Sequence, residues 1–109
     1  MASVNLDLFN KNARRVKMAN IAQTVNVLQA MILTQDDKLV KTPSFYVFKM
    51  YKVHHDATLL PSTISTENYT LEDESVPALS ATASKDANGK IHVTITNVNP
   101  NKALKLSRI

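Results

Sequence analysis

The sequence predicts an α+β chain, helical in its first half and β-structured in its second, and three observations carry that expectation. Val4, Leu8 and Phe9 recur at helical spacing, and Thr42-Pro43 opens a second helical pattern that runs to about His55. After Asp56 the composition shifts to Ser, Thr and Pro with short apolar alternations. Leu79, Ala81 and Ala83 then alternate with polar residues, as do Ile91, Val93 and Ile95, on either side of the turn Lys85-Asp86-Ala87-Asn88-Gly89, which is the pattern of a β-hairpin.

Residues 4–13 read as a short amphipathic helix ending near the basic run Lys11, Arg14, Arg15 and Lys17. Apart from Ser3 no N-cap box precedes it, as in a helix cut from a longer one. Residues 16–33 carry two patterns at once. Met18, Ile21, Ala22, Val25, Leu28 and Ile32 follow helical spacing, while Val16, Met18, Asn20 and Ala22 also fit a strand. Periodicity and the lack of Gly or Pro favour the helix. Gln35-Asp36-Asp37-Lys38 is a polar turn, and in the next helix Thr42 is placed as N-cap with Pro43 at the first helical position. Phe45, Phe48 and Tyr51 or Lys52 form one stripe of that helix, and Tyr46, Met50 and Val53 form its neighbour, so dense packing around it is expected. Beyond the hairpin, Asn97-Val98-Asn99-Pro100-Asn101 makes a turn, and Leu104 and Leu106 begin another strand toward Ile109. Gly89 is the single glycine, few for a complete β-sandwich, whose turns use glycine where φ is positive.

A length of 109 residues allows one small core or parts of two incomplete ones. With 44% hydrophobic and 20% charged residues the chain is too apolar for a disordered segment. The net charge of +4 arises from 13 basic and 9 acidic residues, with Lys102, Lys105 and Arg108 forming a second basic group. No binding motif or aromatic stacking platform accompanies these charges, so they read as solvated faces and no nucleic-acid partner is expected. The absence of Cys excludes disulfides and thiolate chemistry. The N-terminus has an early acid and no sustained apolar run, so it does not read as a signal peptide. Lys17, Asn20, Gln23, Asn26 and Gln29 interrupt the most apolar stretch, so the expectation is a soluble chain without a membrane partner.

Hydrolysis of a glycosidic bond needs two carboxyl groups flanking it. The nine acids, Asp7, Asp36, Asp37, Asp56, Glu67, Glu72, Asp73, Glu74 and Asp86, fall mostly in predicted turns or loops, and none suggests such a pair. Asp36-Asp37 reads as a turn and Glu72-Asp73-Glu74 as a solvated loop. His54-His55-Asp56 ends a helix, where successive side chains diverge by about 100° and do not converge on one ion. No metal or cofactor is expected; a histidine there is instead favoured in its positive form by the exposed carbonyls. Asn20, Gln23 and Asn26 either form the polar stripe of an amphipathic helix or line a sugar pocket, since buried amides require partners.

Two stretches carry a resemblance that bears on this choice. Residues 15–34, RVKMANIAQTVNVLQAMILT, are similar to the end of the catalytic barrel in glycoside hydrolase family 51 α-L-arabinofuranosidases, and residues 42–57, TPSFYVFKMYKVHHDA, resemble the helix that closes that barrel. The likeness weakens but persists to residue 109. It implies a fragment joining the last strand and helix of a (β/α)8 barrel, residues 1–56, to part of a jelly-roll β-sandwich, residues 57–109. It also implies that Val16 to Gln23 form the eighth barrel strand, with Gln23 at the rim of the arabinose pocket as a substrate-binding residue. The family's retaining mechanism uses one Glu as acid/base and another as nucleophile, both upstream of Ser3, so the chain would hold no catalytic residue and be inactive alone. The parent's partner would be an arabinose-containing polysaccharide or oligosaccharide. An isolated chain with two open cores is expected to turn residues 16–33 into helix or to form a homo-oligomer. The rival reading is a non-catalytic β-rich interaction or carbohydrate-binding module, against which the small number of aromatics, three Phe and three Tyr, counts.

Overall fold

A computed structural model describes residues 1–107. Its first helix, α1 (Ala2–Lys11), starts earlier than the apolar spacing indicates and encloses Ser3 in its first turn. Leu8 and Phe9 are substantially exposed, and the residue α1 buries is Asp7. The helix ends at Asn12, whose Nδ2 donates to the Leu8 carbonyl at 2.8 Å and so satisfies one of the last-turn acceptors.

Residues 16–33 are not helical. Gln23, Asn26 and Gln29 adopt φ of 52°, 53° and 62°, which a right-handed helix excludes. Local polar bonds hold the alternative. The Met31 and Ile32 amides both donate to the Thr24 carbonyl at 3.1 Å, and the Asn26 amide donates to Ile32 O at 3.1 Å. The Asn26 side chain accepts from the Thr34 amide at 2.7 Å and donates to Thr34 Oγ1 at 2.9 Å. Side-chain amides that would have decorated a helix thus compete successfully with its backbone bonds. Residues 16–23 also join no strand among the described residues, and before β1 the segment's one ladder contact is an isolated parallel bridge from Val25 to Ile32.

The polar turn is confirmed, as the tip of a hairpin. Strand β1 (Ile32–Gln35) pairs antiparallel with β2 (Lys38–Lys41) in the register Ile32↔Lys41 to Gln35↔Lys38. The two-residue connection Asp36-Asp37 places Asp36 at φ 53°, a conformation Asp tolerates better than most residues.

Helix α2 (Pro43–Tyr51) begins where Thr42-Pro43 predicts and tightens into a 3-10 turn over Lys52–His54. Thr42 has the extended backbone of an N-cap, but its hydroxyl makes no cap bond. It donates instead to the Ala30 carbonyl at 2.7 Å, tying α2 to the irregular segment before β1. Dense packing around α2 is not found: Tyr46, Met50 and Val53 are exposed, and Tyr51 is the one buried residue of the helix.

The second half holds a three-stranded antiparallel sheet, β3 (Thr58–Leu60), β6 (Leu79–Lys85) and β7 (Ile91–Asn97), in the order β3-β6-β7, and a separate hairpin of β4 (Asn68–Leu71) and β5 (Glu74–Pro77). The β6-β7 hairpin forms where the alternation predicts, with Leu79↔Asn97 to Lys85↔Ile91 in register. At its turn Gly89 takes φ 81°, and Asp86 Oδ1 accepts from the Asn88 and Lys90 amides at 2.9 Å. The loop reading of residues 72–74 holds for the exposed turn Glu72-Asp73 and is corrected at Glu74 by the β4-β5 hairpin. Glu72-Asp73 is its connection, Glu72 lies at φ 52°, and Glu74 begins β5. Among the described residues six non-glycine residues adopt positive φ, which is how a chain with one glycine makes its turns. Around residues 97–101 the Asn side chains accept from amides two residues on, as a turn requires. Residues 102–107 form no strand, contrary to expectation; the predicted continuation to Ile109 lies outside the described residues.

Register sorts the two faces of the sheet. Ser80↔Thr96, Thr82↔Thr94 and Ser84↔His92 share one face, and Ala81↔Ile95 and Ala83↔Val93 share the other. The hydroxyl-bearing face is the one that meets α1 and the 3-10 turn, with Thr82 and Ser84 buried. The apolar face borders an open cleft of about 610 Å³, flanked by residues 62–67 and 104–107, and leaves Ile91 and Val93 exposed.

Candidate functional site

Gln23 is exposed, in left-handed backbone, within the irregular segment between α1 and β1. A cleft of about 650 Å³ lies between α1, this segment and α2, with Asn20, Gln29, Thr42 and Ser44 supplying polar lining; Gln23 is not among the residues that line it. Of the amides singled out in the sequence, Asn26 is committed to Thr34, whereas Asn20 makes a weak 3.6 Å contact to Met18 Sδ. The three amides are therefore not brought together.

What the fold does assemble is a polar seam between the helices and the hydroxyl face of the sheet. Asp7 is 1% exposed and accepts from Tyr51 Oη and from Ser80 Oγ, each at 2.5 Å. The Tyr51 hydroxyl is also 3.0 Å from the Ser3 carbonyl. One carboxylate so joins α1, α2 and β6. Desolvation, and then the bond to Asp7, push the Tyr51 phenol well above the ordinary tyrosine range, so it stays a donor. Beside this group His54 bridges two strands, with Nδ1 2.7 Å from Ser84 Oγ and Nε2 2.8 Å from Thr94 Oγ1. Burial and then the nearby His92 lower its pKa, outweighing the opposing field of Asp7. The neutral ring, donating at one nitrogen and accepting at the other, is the form that suits two hydroxyl partners. This replaces the expectation of a positive histidine at a helix end.

The seam is suited to holding elements together rather than to bond cleavage. Asp7 is the one buried carboxylate among the described residues, and both its oxygens are occupied. Asp86 binds the exposed turn and His92 Nε2 at 2.9 Å, and the bond from His92 lowers its pKa. Among the described residues no group of three or more His, Cys, Asp or Glu is placed to hold a metal, and no helix is long and apolar enough to cross a membrane. Sequence reasoning passed over Asp7, although Val4, Asp7 and Leu8 lie on one helical stripe and an acid there signals a buried partner.

Comparison with known proteins agrees with the sequence resemblance. A family model of the α-L-arabinofuranosidase C-terminal domain matches residues 1–108, and the chain belongs to that family. It is 53% identical over 108 residues to an intracellular exo-α-L-arabinofuranosidase of Bacteroides ovatus, a match covering 98% of this chain and 21% of that protein. The fold is similar to the crystal structure of a GH51 arabinofuranosidase from Xanthomonas axonopodis pv. citri, with a TM-score of 0.83 and 51% identity across 88% of this chain and 20% of that one. The chain thus spans about a fifth of the length of these relatives.

Proposed function

We propose that this chain is a junction segment of a retaining α-L-arabinofuranosidase acting on terminal α-L-arabinofuranosyl residues of arabinose-containing polysaccharides, and that it does not hydrolyse them alone. In this reading residues 1–56 complete the catalytic barrel, with 16–23 as its last strand once neighbouring strands supply hydrogen-bonding partners, and residues 57–109 belong to the accessory sandwich. Identity above 50% along nearly the whole chain carries the assignment. The inactivity follows from chemistry, because a retaining glycosidase places two carboxyl groups about 5–5.5 Å apart across the bond. Here the one buried carboxylate among the described residues is already bound on both oxygens by Tyr51 and Ser80.

Gln23 is the residue assigned to the substrate. Its amide both donates and accepts, which suits positioning of sugar hydroxyls rather than proton transfer. The exposed apolar face of the sheet gives the isolated chain a reason to self-associate.

The test is hydrolysis of an aryl α-L-arabinofuranoside by the purified chain, with its mass in solution followed over a concentration series. No turnover and a mass that rises with concentration are expected. Turnover at the rate of a complete arabinofuranosidase overturns the junction reading, and a constant monomer mass overturns the self-association. In the longer enzyme, Gln23→Ala is expected to reduce kcat/KM about 10-fold or more, as the loss of one polar substrate contact does; an unchanged value removes Gln23 from the pocket.

A further inference from the structure

A small cavity of about 30 Å³ lies where α1 meets the hydroxyl face of the sheet, lined among others by Asn10, His54, Thr82 and Ser84. Two polar atoms stand out. Asn10 Nδ2 and Thr82 Oγ1 are both buried and have no hydrogen-bonding partner among the described residues, and Thr82 as a whole is 1% exposed. On the same face Ser80 is bound to Asp7, and Ser84 and Thr94 are bound to His54.

Burying an amide N–H or a hydroxyl without a partner costs roughly 1–3 kcal/mol, and native interiors seldom bear two such groups on one wall. A cavity holds a water when it offers about one probe sphere of room, on the order of 10–15 Å³, and two to four polar partners. This cavity has the room, and its lining offers an amide donor and two hydroxyls. The volume is about that of a single water, and an ion is disfavoured because the neighbouring histidine is held neutral and no carboxylate lines the wall.

We propose that this cavity is a binding site for a single structural water, which accepts from Asn10 Nδ2 and exchanges a hydrogen bond with Thr82 Oγ1. It is a second tie between α1 and β6, one helical turn beyond Asp7. The proposal does not depend on the enzymatic reading.

The direct test is a crystal structure of the full protein at a resolution that shows ordered solvent. One fully occupied water within about 3.2 Å of both atoms is expected. A dry cavity, or an Asn10 amide turned to a protein partner, overturns the proposal. A second measurement uses Thr82→Val, which replaces the hydroxyl by a methyl of similar shape. If the hydroxyl holds a water, the apparent melting temperature falls by about 2 °C or more. If the hydroxyl is simply unpartnered, its removal relieves desolvation and the temperature stays level or rises, which overturns the proposal.

Discussion

Replacing Asp7 is the substitution whose cost the structure defines best. Asp7→Ala leaves two hydroxyls, the buried Tyr51 Oη and the half-buried Ser80 Oγ, without the acceptor that each now reaches at 2.5 Å. Hydrogen bonds to a charged group contribute roughly 1.5–3 kcal/mol each, so their joint loss would cost about 3–6 kcal/mol taken alone. Two offsets reduce this. The Ser3 carbonyl, 3.0 Å from the Tyr51 hydroxyl, can take over that proton, and removing a buried charge relieves its desolvation. The net expectation is a loss of about 2–4 kcal/mol. Asp7→Asn keeps one acceptor and gains a donor in the same shape, so it should cost less than half as much. The assay is urea denaturation of the purified chain by far-UV circular dichroism at fixed concentration, with Tyr51→Phe and the double variant completing a cycle. An Asp7→Ala change below about 0.5 kcal/mol, or no coupling to Tyr51, refutes the view of this carboxylate as the tie between helices and sheet.

Stability should also respond to pH through His54. Its folded pKa lies below the unfolded value of 6.5, so its contribution is complete above that value and is lost as pH falls from there through the folded pKa. The urea midpoint should therefore drop between pH 7.5 and 5.5, and His54→Gln should flatten the dependence; an equally steep variant would place the titration elsewhere. Asp86 acts in a separate, more acidic window, since its carboxyl is held below 3.8 and its contribution fades as pH falls under that value. Gly89→Ala should cost about 1–2 kcal/mol through backbone strain alone, because φ is 81° and an added Cβ meets nothing within 4 Å. A urea midpoint within error of the wild type would mean that the turn relaxes to another form.

Both helices, the β6-β7 hairpin and the turn at Asp36-Asp37 were legible because each rests on local signals: apolar spacing, a Thr-Pro start, alternation, and residues that tolerate unusual φ. Residues 16–33 were not. Their helical spacing was genuine, but Asn26 has an acceptor and a donor in Thr34 eight residues away, and a long-range pair of this kind leaves no periodic trace. The same limit hid the second function of Thr42, whose hydroxyl serves Ala30 rather than its own helix. Family membership was legible in residues 15–34 and 42–57, where side chains and not periodicity carry the likeness. The Asp7 cluster lay between these cases. The acid was visible on an apolar stripe, but its partners are 44 and 73 residues distant.

The two sides of the β6-β7 hairpin are set for different histories of change. On the apolar side, Ala81, Ala83, Val93 and Ile95 are judged by bulk, so drift among aliphatic residues is tolerated wherever volume is roughly kept. On the other side Ser80, Ser84 and Thr94 are judged atom by atom, because each oxygen answers a particular group on α1 or the 3-10 turn. Here a change as slight as Ser80→Ala removes the answering atom, while the matching loss on the opposite side is a small void. Accumulated mutation should therefore reshape what the open side can associate with long before it alters the angle at which the helices sit on the sheet.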